Sequence, residues 1–138
     1  MNYRQSSPPD HLLIVGFGSH VVGMSVRDGS RVWAYEFNGG NVRIVVEGDR
    51  VYALGLELVC LDYATGRPVW RQPDLPISGS NWTLLVHGDS VVVGSRGEVA
   101  CFEPETGKLR WHEGFQGMGV GCVAIGFPGK SVQGDLDH

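Results

Sequence analysis

Glycine followed four residues later by tryptophan recurs three times in this chain, at Gly29 and Trp33, Gly66 and Trp70, and Gly107 and Trp111. Each pair sits in a longer match: Asp28-Gly29-Ser-Arg-Val-Trp33, Thr65-Gly66-Arg-Pro-Val-Trp70 and Thr106-Gly107-Lys-Leu-Arg-Trp111. The successive tryptophans are 37 and 41 residues apart, and the glycines keep the same spacings. A second marker, Gly48-Asp49, returns 40 residues later as Gly88-Asp89. Self-similarity at about 40 residues belongs to four-stranded propeller blades or to paired-helix repeats. No property of the composition constrains the fold as tightly.

Hydrophobic periodicity separates the two architectures. Between the turn signals the chain carries short, Val-rich runs such as Val51–Leu54, Leu58–Leu61, Val91–Val93 and Val99–Phe102, bounded by Gly, Asp, Ser or Asn. Runs of this kind are strands, and none sustains helical spacing over about ten residues. With strands of a blade lettered A to D from the inside outward, the first repeat supplies B at 11–17, C at 20–26 and D at 30–37. The second supplies A at 42–47, B at 50–55, C at 57–63 and D at 67–72. The third supplies A at 82–87, B at 90–95, C at 98–103 and D at 108–113. Gly119-Val-Gly-Cys-Val-Ala-Ile125 aligns with a further strand A. The predicted fold is therefore an all-β propeller of four-stranded antiparallel blades, three blades' worth ordered BCD-ABCD-ABCD-A. Its divisions are a flexible segment 1–10, repeats at about 11–40, 41–80 and 81–117, a closing strand 118–126, and a flexible tail 128–138. Lys130-Ser-Val132 in that tail has the alternative of being the stub of another strand B.

Leu58-Val-Cys-Leu-Asp62-Tyr-Ala-Thr65-Gly66-Arg-Pro-Val-Trp70 resembles the repeat of quinoprotein-type (pyrroloquinoline-quinone-like) β-propellers, whose tryptophan docking pattern reads roughly A-x-D-x-x-T-G-K-x-x-W. Cys101-Phe-Glu103-Pro-Glu-Thr106-Gly107-Lys108-Leu-Arg-Trp111 matches it as well. The first copy is degenerate, with Gly23, Ser25 and Asp28 at the Ala, Asp and Thr positions, yet Gly29 and Trp33 hold. The resemblance spans about residues 11–126 and implies a propeller. It implies no single activity, because one fold hosts many. Enzymes of that family hold a quinone at the propeller centre with a calcium ion and a catalytic Asp, and none of those residues maps onto positions here.

The pattern has a physical reading of its own. The Gly closes the turn between strands C and D with a positive φ, which glycine adopts without steric cost. The Trp stands on the outer strand, where its ring can pack on the neighbouring blade and its N–H seeks an acceptor. The first position of the pattern, filled by Gly23, Cys60 and Cys101, must be small to admit the neighbouring ring.

Composition removes several functions. The 138 residues include 11 Lys and Arg against 15 Asp and Glu, a net charge of −4 that argues against a nucleic acid or an anionic membrane as partner. No apolar stretch reaches the ~18 residues of a membrane helix, and MNYRQSSPPDH lacks the apolar region of an export signal, which predicts a cytoplasmic chain. Cys60, Cys101 and Cys122 form no C-x-x-C pair, and the five His are scattered without metal-ligand spacing. Gly-x-Ser-x-Gly, phosphate-cradling and His-Glu-x-x-His motifs are missing. The sequence thus predicts no catalytic residue, no cofactor and no metal.

The expected function is that of a non-enzymatic protein-binding or scaffold module, an immunity-type or assembly-factor-like partner of another protein. The alternatives are a quinone-dependent dehydrogenase or cofactor carrier, and a propeller fragment without independent activity. The link after strand D of the second repeat is longer than its equivalent, and places Leu75, Ile77 and Trp82 as candidate partner anchors. Three blades are too few to close a propeller. The chain is therefore expected to form a homo-oligomer, preferentially a dimer of six blades.

Overall fold

The computed structural model describes residues 12–78 and 81–134. Among them the first repeat forms β1 (Leu12–Phe17), β2 (His20–Ser25) and β3 (Arg31–Glu36), paired in that order as a three-stranded sheet. The second forms β4 (Arg43–Glu47), β5 (Arg50–Leu54), β6 (Leu58–Asp62) and β7 (Pro68–Gln72), a four-stranded sheet. The third repeats it with β8 (Thr83–His87), β9 (Ser90–Ser95), β10 (Glu98–Phe102) and β11 (Leu109–Glu113). All pairings are antiparallel between neighbours in sequence. These eleven strands lie within one residue of the boundaries read from the sequence, and the chain is a partial β-propeller. The described residues contain no helix long and apolar enough to cross a membrane.

The sheets stack face to face with their innermost strands adjacent: β4 lies between β8, strand A of the third repeat, and β1, the first repeat's strand B. This explains why β5 and β6 read as unbroken apolar runs instead of alternating ones. Val51, Ala53, Val59 and Leu61 pack into one cluster with Val21, Trp33 and Phe37 of the first repeat. Their neighbours Tyr52, Leu54, Leu58 and Cys60 pack into a second cluster with Leu84, Val91, Ala100 and Phe102 of the third. A sheet covered on both faces has no solvent side to alternate toward. Fully burying each Val, Leu or Phe contributes about 1.5–3 kcal/mol, so the middle repeat is the stabilising centre of the arc.

The end of the chain differs from expectation. The closing strand predicted within 118–126 begins only at β12 (Ile125–Phe127), which pairs with β13 (Lys130–Val132) as a two-stranded hairpin against β8. Residues 118–124 form no strand: Gly119 has φ 91°, and the Gly121 carbonyl accepts the Gly97 N–H at 2.9 Å, an interaction outside any ladder. Pro128 and Gly129 (φ 84°) make the hairpin turn. The Lys130 ammonium pins the hairpin across β8, donating to Glu47 Oε1 at 2.8 Å and to the Val86 carbonyl at 3.1 Å. The segment assigned to a flexible tail therefore begins with strand B of a fourth repeat, and the order is BCD-ABCD-ABCD-AB. The predicted flexible segment 1–10 and the last residues, 135–138, lie outside the described residues.

Candidate functional site

The three Gly–Trp pairs are the most regular feature of the molecule. Gly29, Gly66 and Gly107 have φ of 75°, 74° and 76°. In each turn the glycine N–H donates to the carbonyl four residues back, Ser25, Asp62 or Glu103, at 2.8–2.9 Å. The N–H of that same residue donates to the carbonyl just after the glycine, at 2.8–2.9 Å. Asp62 Oδ2 also accepts from the Thr65 N–H and hydroxyl, at 3.0 and 2.8 Å. In the first repeat Asp28 Oδ1 takes the equivalent pair from Ser30, and these hydrogen bonds hold its carboxyl below its ordinary pKa.

Each interior tryptophan reaches from its own strand D to the next repeat's turn. The Trp33 ring lies on Gly66 so closely that a Cβ there would come within 2.4 Å of it, and Trp70 covers Gly107 at the same distance. The indole of Trp33 donates to the Tyr63 carbonyl at 2.9 Å, and that of Trp70 to the Pro104 carbonyl at 2.7 Å. Both acceptors stand three residues before the covered glycine. The sequence did not single out Tyr63 or Pro104, because a backbone acceptor leaves no trace in residue type. The small first position has a different purpose from the one expected. Gly23 pairs across the sheet with Trp33 of its own repeat, and a Cβ on Gly23 would meet that ring at 2.5 Å. Cys60 pairs with Trp70 and Cys101 with Trp111 in the same way, with a register shift directly after each small residue.

The series is incomplete at both ends. Trp111 is 47% exposed where Trp33 is 8%, and its N–H has no acceptor among the described residues. At the other end nothing among the described residues lies within 4 Å of a Cβ on Gly29. Every residue of β11 is exposed, and Leu109, Trp111, Phe115, Met118 and Val120 together present apolar surface at the end of the arc. Exposed large apolar side chains of this number make this end of the chain a candidate interaction surface.

The candidate partner loop buries one of its anchors and leaves Leu75 and Trp82 partly exposed. Ile77 is only 3% exposed, and it belongs to the cluster between the second and third repeats, with Leu75 and Trp82 packed against it. The longer link fills the gap between two blades.

A cleft of about 630 Å³ opens between the second and third repeats, lined by Asp49, Arg50, Tyr52, Asp89, Glu105 and Arg110 among others. Its charges are mixed, and Arg50 lies 3.4 Å from Asp49 and 4.0 Å from Asp62. Burial pushes the Tyr52 phenol up to about 12 and the Cys60 thiol up to about 12, so both stay protonated near neutrality. A quinone–calcium centre does not fit these residues. The inner strands β4 and β8 offer mainly Ile, Val and Leu, and among the described residues no three His, Cys, Asp or Glu side chains are grouped to hold a metal.

Comparison with known proteins places this geometry among others. A family model described as outer membrane protein assembly factor BamB matches residues 3–120. The quinohemoprotein alcohol dehydrogenase ADH IIB of Pseudomonas putida is 27% identical, over 67% of this chain and 17% of that protein. The structure of a quinohemoprotein alcohol dehydrogenase from Comamonas testosteroni superposes with a TM-score of 0.62 at 23% identity, covering 75% of this chain and 19% of that one. BamB from Moraxella catarrhalis gives 0.59 at 18% identity, covering 75% and 33%. The chain thus spans a third or less of the length of these relatives.

Proposed function

Because the chain belongs to the PQQ-repeat propeller family described as outer membrane protein assembly factor BamB, we propose that it is a protein-binding scaffold module and not an enzyme. One observation carries this reading: the exposed apolar face formed by β11 and the residues after it, from Leu109 to Val120. Interior faces of the same kind are covered by the next repeat, and an uncovered one gains free energy by docking protein. The family description supports the reading, since it names an assembly factor, while the relatives also include dehydrogenases. The donor set of the inner strands supports it too, because it suits packing better than cofactor ligation.

A photo-crosslinking residue at Met118 tests the site in cells. Discrete protein adducts are expected there, lost when Trp111→Ala is added, and none from a crosslinker at the exposed Arg67 on the turn of the second repeat. Purified chain mixed with pyrroloquinoline quinone and calcium should retain no quinone absorbance after desalting. Stoichiometric retention with alcohol-dependent dye reduction would establish the dehydrogenase reading instead.

A further inference from the structure

We propose that the partner on this face is a second copy of the same chain, seated by its Gly29 turn on Trp111. The inference rests on the reading of that face as a protein-docking surface and names its occupant.

The molecule contains three tryptophan knobs and three glycine sockets, and two of each are engaged. Trp33 fills the Gly66 turn and Trp70 fills the Gly107 turn. Among the described residues Trp111 and Gly29 are left over, one in the third repeat and one in the first. The unused socket is already formed. Its φ matches the two occupied ones to within two degrees, and its pair of backbone hydrogen bonds, from Gly29 N–H to Ser25 and from Ser25 N–H to Ser30, repeats theirs. The acceptor for the third indole is waiting as well. Tyr63 and Pro104 stand three residues before their glycines, and Val26, 62% exposed, stands three before Gly29. Among the described residues no turn covers Trp111 and no ring covers Gly29, so the open knob at one end matches the open socket at the other.

Register extends the match to the sheet face. In the first repeat Leu12 and Ile14 face the second repeat, so their alternating neighbours Leu13 and Phe17 face away, and both are more than half exposed. Leu13 and Val15 hold the positions that Val51 and Ala53 hold in the buried second repeat, on the face turned toward the preceding blade, and Phe17 extends that face by one more alternate position. Leu13 and Phe17 of one copy are therefore set to cover the surface around Leu109, Trp111 and Phe115 of the other. An interior junction copied to this end places β1 of the second copy beside β12, where β13 lies here. Three residues of β13 give way to the six of β1. Two copies make two such junctions and close six blades, within the range of known propellers, and obligate interfaces of this kind bury more than about 2,000 Å² in total. Uncapped edges and faces favour this closure.

Light scattering and sedimentation of the full chain test the inference. The expected mass is twice 15.0 kDa at micromolar concentration. Trp111→Ala should weaken association about 30-fold or more, as a central interface tryptophan does. Gly29→Asn keeps the positive φ, which Asn tolerates, and finds open space in the single copy, yet puts a Cβ where the partner's ring would lie. It should abolish the dimer while leaving the melting curve of the dissociated chain unchanged. Mixing the two variants restores one intact junction and should recover a dimer weaker than the parent. Hydrogen exchange over Leu12–Phe17 should slow as concentration rises. A monomer at 100 μM, a larger assembly, or a dimer indifferent to both substitutions would overturn the inference. If crosslinks from Met118 reach only a different protein, the docking surface stands and the second copy does not.

Discussion

The indole nitrogen of Trp33, on β3 of the first repeat, donates to the backbone carbonyl of Tyr63, in the turn after β6 of the second, at 2.9 Å. One side chain therefore joins two repeats twice, through its ring on the Gly66 turn and through its N–H beside that turn. Tyr63 reinforces the junction, since its hydroxyl donates to the Leu12 carbonyl at 2.7 Å and accepts the Leu12 N–H at 3.0 Å. Order in the arc comes from such neighbour-to-neighbour contacts, as in other repeat proteins.

A methyl group at Gly66 should be far more costly than one at Gly29. Both substitutions to Ala strain a positive φ, at about 1–3 kcal/mol. Only Gly66→Ala also drives a Cβ to within 2.4 Å of the Trp33 ring, adding overpacking of about 1–3 kcal/mol. Denaturant melts should separate the two variants by that second amount. Equal losses would mean that the ring does not rest on the turn.

Thiol reactivity should divide the cysteines. Cys60 and Cys101 are buried beside their tryptophans while Cys122 is exposed. A disulfide reagent at pH 8 should modify one thiol per chain quickly, and peptide mapping should identify Cys122. The other two should react only on unfolding. Fast modification of Cys60 in the folded chain would contradict the packing described for the second repeat.

Stability should fall on the alkaline side. Burial, the largest cause, raises the Cys60 thiol from 9.0 to about 12 and the Tyr52 phenol from 10.0 to about 12. The unfolded chain therefore loses these protons first, so it binds fewer protons than the native state above pH 9. Stabilisation is complete below pH 9 and declines as pH rises through 12. Melting temperatures should be level from pH 7 to 9 and drop beyond, with Cys60→Ala reducing the slope. An unchanged slope in that variant would remove Cys60 from the account.

Much of this fold was legible because propeller blades are local structures. The Val-rich runs and turn glycines mark β1 to β11, and the Gly–Trp spacing marks the repeat. The end of the chain was harder to read. Val120, Val123 and Ile125 look strand-like, but Gly117, Gly119 and Gly121 interrupt them, and positive φ at Gly117 and Gly119 breaks the extended path. β13 was obscure because Pro128-Gly129 replaces the Gly-Asp turn of the earlier repeats. The candidate loop was misleading for a simpler reason. An apolar side chain reads the same whether it faces a partner or fills a gap, and the gap beneath Leu75, Ile77 and Trp82 exists only once two sheets are stacked. The incomplete pairing of Trp111 and Gly29 follows the same logic, since it depends on which repeat has a neighbour.

Alanine substitution of each repeat tryptophan, followed by denaturant unfolding at nanomolar protein to exclude association, tests most directly whether these side chains join the repeats. Trp33→Ala and Trp70→Ala should each cost about 3–5 kcal/mol, the scale for truncating a buried tryptophan. Trp111→Ala, which removes a half-exposed ring with no repeat beneath it, should cost less than about 1 kcal/mol. Three equal losses, or a loss below about 1 kcal/mol at Trp33 or Trp70, would contradict the account.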